Sequence, residues 1–315
     1  MKMHREEFDM FVQEVNQYVY ELTNQSKSHS KLKNFELAIL SIELLIMQKM
    51  KKMCKAYVTG LLDVGVAKRD DVIDLHVVIG DNYYKKSDPE RDYAIIGVIR
   101  DILDLSDHWR VLRISDESSI ECECYLTNQI FLLSIGNGLK IEQYKLLKHI
   151  FSIQPEAITF YHFIRHWIIE KSVCTIDPKH LLLLVVFFLQ KYGYVPSLFD
   201  VFLNVPKVTI DDYQVQFDQH RNFYDYNLKR MEYYRKHVLK FFNYYRSFDF
   251  YYHILNLHRG YTIGLKKYWR YLNNTAALNI IFVELENNFA PNTKFYQLTD
   301  FTRICDVSFK LFDDF

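Results

Sequence analysis

Glycine and proline are scarce in this chain, 9 and 6 among 315 residues. With so few breakers, long helices are the natural reading, and 24 tyrosines and 24 phenylalanines give them aromatic faces. Cysteine is scarce as well. Cys54, Cys122, Cys124, Cys174 and Cys305 are odd in number and irregular in spacing, which points to a reducing compartment. Cys122 and Cys124 would share one side of a strand, but no second pair completes a four-ligand zinc site. Net charge is absent, since 39 basic residues offset 39 acidic ones. Contact with nucleic acid would therefore need a local basic patch rather than an overall field. The longest apolar run, Leu181 to Leu189, falls short of the roughly 20 residues that span a bilayer. The N-terminal MKMHREEFDMF alternates charge with apolar residues, so the expectation is an intracellular protein, cytoplasmic or nuclear, with no membrane contact.

Hydrophobic residues make up 49% of the chain, enough for a folded protein of two domains. Phe8, Phe11, Val12, Val15 and Tyr18 recur at helical spacing and predict a helix over 1–20. A polar stretch, NQSKSHSK, precedes a second helix over 34–53, whose C-terminal end is basic (Lys49, Lys51, Lys52, Lys55), as the macrodipole favours. Strands are expected at 56–59, 72–79, 111–114 and 120–126, with a helix over 93–104 opened by Pro89. From Gln129 onward the pattern reads as helical, with elements at 141–151, 157–170, 179–191 and 228–245. The expected fold class is α+β and bilobal. An N-terminal helix (1–29) packs on a mostly helical domain (151–315), and a small mixed-sheet domain occupies 30–150.

The segment TGLLDVGVAKRDDVIDLHVVI (59–79) couples a glycine-containing turn to a strand bearing one carboxylate, Asp74. Alone, such an aspartate is ordinarily a cap or a surface charge. Asp63, Asp70 and Asp71 read as turn residues, and Asp71 is one residue out of phase with Asp74. His162 and His166 have i, i+4 metal spacing but lack a third ligand. Lys229, Arg230 and Arg235, with Tyr233 and Tyr234 among them, mix basic and aromatic residues as a single-strand RNA surface does; a solvated amphipathic face is the plainer reading. Tyr224, Tyr226, Tyr244 and Tyr245 are candidates for exposed aromatics at a protein interface.

The layout of the 59–79 segment resembles that of the cytoplasmic poly(A) polymerase and terminal uridylyltransferase family, whose pattern is Gly-Ser, a spacer, then Asp-x-Asp on a strand. IECECYLTN (120–128) resembles the family's third-carboxylate strand, I-E-C-D-I-x-x-x-N, with Glu123 at the aspartate. HLLLLVVFFLQKYGYVPSL (180–198) is similar to its central helix and proline turn, and HVLKFFNYYRSFDFYYHILNLHRG (237–260) to its poly(A)-polymerase-associated segment. IIFVELENNFAP (280–291) is similar to its nucleotide-recognition loop. The resemblance covers residues 36 to 310 and implies a DNA-polymerase-beta-like nucleotidyltransferase fold.

The activity it implies is addition of nucleotides to RNA 3′ ends from a nucleoside triphosphate with Mg2+ or Mn2+. Two metals held by three carboxylates clamp the attacking 3′-oxygen and the leaving pyrophosphate oxygen. Carried over residue by residue, Asp74 and Glu123 take the catalytic and metal-binding positions. Gly60, Leu61, Arg165, Lys171, Lys179, His180 and Asn287 take nucleotide-binding ones. The departures fall in that same site. Val72 stands at the first aspartate, Leu61 at the phosphate-turn serine, and Asn287 at the uracil-sensing histidine; no aromatic ring opens the helix at Pro178-Lys179-His180. Changes to several parts of one site imply a degenerate, catalytically impaired member that serves as a binding or scaffold subunit. Its partners would be an RNA 3′ end and a protein partner or a dimer. The alternatives are an active tailing enzyme using Asp74, Glu123 and a displaced Asp71, and a purely structural interaction module.

Overall fold

The computed structural model describes residues 29–68, 71–116, 119–171, 174–220, 223, 234–250, 252–264, 280–281 and 295–313, with isolated positions before residue 21. The chain divides into two compact units, one of residues 21–148 and 206–216, the other of 1–20, 149–205 and 217–315.

The first unit is built on a mixed sheet. Strands β1 (Cys54–Thr59), β2 (Ile73–Ile79), β3 (Trp109–Asp116), β4 (Ser119–Cys124) and β5 (Gln129–Ile135) lie in the order β1-β2-β5-β4-β3. β2 runs parallel to β5, and the other pairings are antiparallel. Alternation along β2 sends Ile73, Leu75, Val77 and Ile79 into a core shared with Phe131, Leu133, Ile120 and Cys122. Helices α1 (His29–Met50) and α3 (Pro89–Asp104) close this face with Ala38, Ile42, Ile46, Ile96 and Ile99. Each such buried aliphatic side chain contributes about 1.5–3 kcal/mol. Asp88 caps α3 by accepting a hydrogen bond from the Arg91 N–H, and Pro89 occupies a first-turn position that needs no donor. A short helix, α2 (Gly60–Val64), links β1 toward β2, and a small hairpin, β6 (Thr209–Ile210) with β7 (Tyr213–Gln214), joins the same unit.

Two expectations change. QIFLLSI (129–135) forms a strand, not a helix, and lies in the middle of the sheet. A short apolar run has no decisive period of its own; pairing with β2 on one side and β4 on the other settles it. Helix α1 also begins at His29, inside the polar stretch assigned to a linker.

The second unit is mostly helical. α4 (Leu139–Ile153), whose residues up to Lys148 belong to the first unit, leads into α5 (Glu156–Arg165), which continues as a π-helical turn over His166–Lys171. Helices α6 (Pro178–Lys191), α7 (Leu198–Phe202), α8 (Tyr234–Arg246) and α9 (Phe295–Asp313) follow. Every residue of α6 from Leu181 to Gln190 is buried, which explains its uninterrupted apolar sequence. The Tyr245 hydroxyl donates to the Leu184 carbonyl at 2.7 Å. Tyr245 is fully buried, which removes it from the exposed aromatics; Tyr244 packs on its ring at 4.9 Å. The amide of Gln190 donates to the Pro196 carbonyl at 3.1 Å, and Phe199 N–H donates to the His258 carbonyl at 2.8 Å. These bonds join the YGYVPSL turn to the LNLHRG turn, whose Gly260 adopts φ +69° with its Cα close to the Gln190 side chain. β8 (His253–Asn256) pairs with β9 (Tyr261–Gly264) and, in parallel, with β10 (Ile280–Ile281).

Candidate functional site

Asp74 enters the sheet at the second residue of β2, on the face opposite the core. It is 3% exposed and lies across from Thr59 of β1. Gly60, the next residue, turns the chain at φ +75°, and a Cβ there would sit 2.2 Å from Asp74 Oδ2. Two requirements therefore fix glycine at 60: a left-handed backbone and close approach to a carboxylate. Leu61 is 6% exposed and offers no hydroxyl. Thr59 Oγ1 is buried and has no hydrogen-bond partner among the described residues. Val72, two residues before Asp74, is 43% exposed. Asp71 is committed to the turn, where its Oδ2 accepts a hydrogen bond from the Lys68 N–H at 2.7 Å.

Asp74 has two strand neighbours, Thr59 on β1 and Leu132 on β5, and neither is a carboxylate. Glu123 lies one strand further, on β4, paired with Ile130, and Ile130 lies one residue before Phe131, the partner of Ile73. Two strand spacings and two residues of offset separate Glu123 from Asp74 by on the order of 12 Å. The Glu123 carboxylate accepts from Arg110 at 2.6 Å, and Arg110 belongs to β3, on the far side of β4 from β2. Glu121, level with Leu132, is held in the same way by Arg113 at 2.5 Å. The structure does not bring Asp74 and Glu123 together, because Glu123 is turned toward the other edge of the sheet. Among the described residues, no group of three or more His, Cys, Asp or Glu could hold a metal ion. Among the described residues, the donors do not form a two-metal centre, whose ions stand about 3.5–4 Å apart.

Sequence reasoning passed over His76, Ser134 and Lys140. His76 lies two residues beyond Asp74 on the same face and is 4% exposed. Its Nε2 bonds the Asn137 carbonyl at 2.8 Å, so Nε2 carries the proton and Nδ1 meets Ser134 Oγ at 2.9 Å. Lys140 Nζ donates to the same Ser134 oxygen at 2.9 Å. Burial, then the charge of Lys140, lowers the His76 pKa to about 4 against the pull of the Asn137 bond. A neutral imidazole is thus fixed beside Asp74. The unfolded chain binds the extra proton first, so stability falls as pH drops from about 6.5 through the folded pKa near 4. At pH 5 this one group is expected to cost about 2 kcal/mol relative to pH 8. Titration of the His76 ring protons by NMR, with a midpoint near 4, is the check; a midpoint near 6.5 would contradict it.

The remaining candidates belong to the second unit. Arg165 ends α5 and is 6% exposed, a buried guanidinium rather than a surface one. Lys171 closes the π-helical turn, with its side chain outside the described residues. Lys179 and His180 occupy the first turn of α6, where Asp177 caps by accepting from the Lys179 N–H at 2.7 Å. Burial, then Lys179, lowers the His180 pKa, while Asp177 opposes the shift. Neutral and half-buried, His180 is suited to packing on an uncharged ring. Asn287, Lys229 and Arg230 lie outside the described residues, and Arg235 is placed on α8 without its side chain.

Solved structures of similar fold include mtPAP and the Cid1 poly(U) polymerase. The chain matches mtPAP in complex with UTP at TM-score 0.76 and 19% identity, over 95% of this chain and 68% of that one. With ATPγS bound, mtPAP matches at 0.76 and 18%, over 96% and 70%. The Cid1 poly(U) polymerase matches at 0.68 and 16%, over 95% of this chain and 94% of that one. No family model matches the sequence, and no curated protein does. Among the described residues, no helix is long and apolar enough to cross a membrane. At this level of identity the likeness speaks to architecture: the chain has the α+β nucleotidyltransferase fold of the poly(A) and poly(U) polymerases.

Proposed function

We propose that this chain is a nucleotidyltransferase-fold protein of RNA 3′-end processing that has given up the metal centre and serves as a binding or scaffold subunit. The carrying observation is that Glu123, at the third-carboxylate position the resemblance implies, lies two strands from Asp74, whose own partner on β5 is the aliphatic Leu132. Val72 and Leu61 support the same reading, one at the lost first carboxylate and the other at the phosphate turn. Arg110 holding Glu123 and the turn holding Asp71 argue against the active alternative, in which those two groups join Asp74. Differential stabilisation of the transition state is what such an enzyme supplies, and a single sealed carboxylate supplies little of it.

Nucleoside triphosphate binding is the part of the ancestral activity that survives most readily in this reading, since mtPAP is known with UTP and with ATPγS. Lys179 and His180, at the start of a long buried helix, would meet the phosphates and the base. A protein partner or a second copy would supply the chemistry that this chain lacks.

The test is incorporation of each of the nucleoside triphosphates into an RNA oligonucleotide with Mg2+ or Mn2+, beside the Cid1 poly(U) polymerase as a working control. The expected result is no extension, for the chain as it stands and for Asp74→Ala alike. Extension that Asp74→Ala abolishes would sink the proposal.

A further inference from the structure

A pocket of about 410 Å³ opens at the end of β2 farthest from Asp74. Gly80 follows that strand end, roughly 20 Å from Asp74 at about 3.3 Å per residue. Lys52, Lys85 and Arg91 line it together with Asp81, Asn82 and Ile95. Three cations face one carboxylate. Arg91 already bonds Asp92 at 2.9 Å, whereas Lys52 and Lys85 are exposed and, among the described residues, take part in no ion pair. Two uncommitted ammonium groups and a guanidinium around one concavity favour an anion.

The surroundings say which kind. Exposed lysines neighbour the lining residues in sequence, Lys49, Lys51 and Lys55 around Lys52 and Lys86 after Lys85, with the exposed acids Asp88 and Glu90 before Arg91. Tyr84 lies between the lining residues Asn82 and Lys85 and is 65% exposed. It is presented by Tyr83, whose ring stands 4.9 Å away and whose hydroxyl is anchored on Glu142. A basic track with an exposed, backed aromatic ring is how proteins hold single-stranded nucleic acid: cations for phosphates, a ring for a base. A free nucleotide would need the pocket but not the track.

We propose that this pocket binds a backbone phosphate of single-stranded RNA, with Tyr84 stacking on an adjacent base, at a site separate from the Asp74 face. It rests on the RNA-binding part of the reading above and not on the loss of catalysis. The test is fluorescence anisotropy of a labelled oligouridine of about 15 nucleotides, long enough for one single-strand site, titrated at several salt concentrations. Lys52→Gln with Lys85→Gln, both at exposed positions, is expected to weaken binding about tenfold and to reduce the salt slope by about 1.4, from two lost contacts at about 0.7 each. Tyr84→Ala is expected to weaken binding several-fold with the slope unchanged. If the double variant binds RNA as the parent does, the site is overturned while RNA binding stands. Retention of inorganic phosphate or ATP but not of the oligomer would overturn the RNA assignment. RNA extension in the incorporation assay would overturn the loss of catalysis and leave this site untouched.

Discussion

Gly60→Ala is expected to destabilise the first unit by about 3–5 kcal/mol, far more than an ordinary glycine-to-alanine change. Two costs combine. At φ +75° any side chain pays about 1–2 kcal/mol for the left-handed backbone. The new methyl would also stand 2.2 Å from Asp74 Oδ2 and 2.9 Å from its Cγ, so the carboxylate must move within a site where it is 3% exposed. The two costs separate in a double-mutant cycle. In an Asp74→Ala background the contacts with oxygen and Cγ disappear, while the backbone term and a tight 3.1 Å approach to the Cβ of residue 74 remain, so Gly60→Ala should cost about 2 kcal/mol less there. Urea unfolding of the four proteins reads the coupling directly. Equal costs in both backgrounds would mean that Asp74 does not press on the turn.

Much of the architecture was legible because its signals are local. The long apolar run of α6, the 3.6-residue period of α8, the cap and proline that open α3, and the alternation along β2 each follow from short-range sequence. The strand that mattered most for the site was not legible. QIFLLSI has neither a helical nor a strand period strong enough to decide, and its place between β2 and β4 is set by long-range pairing. The third-carboxylate position at Glu123 follows from the resemblance of IECECYLTN to a family strand, and the sequence alone does not show that β5 lies between that strand and β2. With β5 in place, register alone identifies Leu132 as the residue beside Asp74. His76 escaped for a related reason: its partners Ser134 and Asn137 lie 58 and 61 residues on and meet it only across the sheet.

Adding carboxylates beside Asp74 is expected to create a metal site on the β2–β5 pair. Val72→Asp places a carboxylate two residues before Asp74, and Leu132→Asp places one directly across from it on β5. Three acids would then converge within about 5–7 Å, the spacing of strand neighbours and i, i+2 positions. Without metal their mutual repulsion raises their pKa values and weakens the fold, so the double variant should melt several degrees below the parent. Mn2+ at about 100 times its dissociation constant would return roughly 2.7 kcal/mol. For a unit of this size that amounts to about 5–10 °C in Tm. The parent chain, with Asp74 alone, should show no comparable shift. A Tm insensitive to Mn2+ in the double variant would mean that Leu132 does not occupy the metal position. An equally large shift in the parent, lost in Asp74→Ala, would mean that a metal centre survives and that the chain is a candidate enzyme after all. The comparison works because it asks about the ligand set itself: register places Leu132, not Glu123, beside Asp74, and the melting curve reports which of them a metal can use.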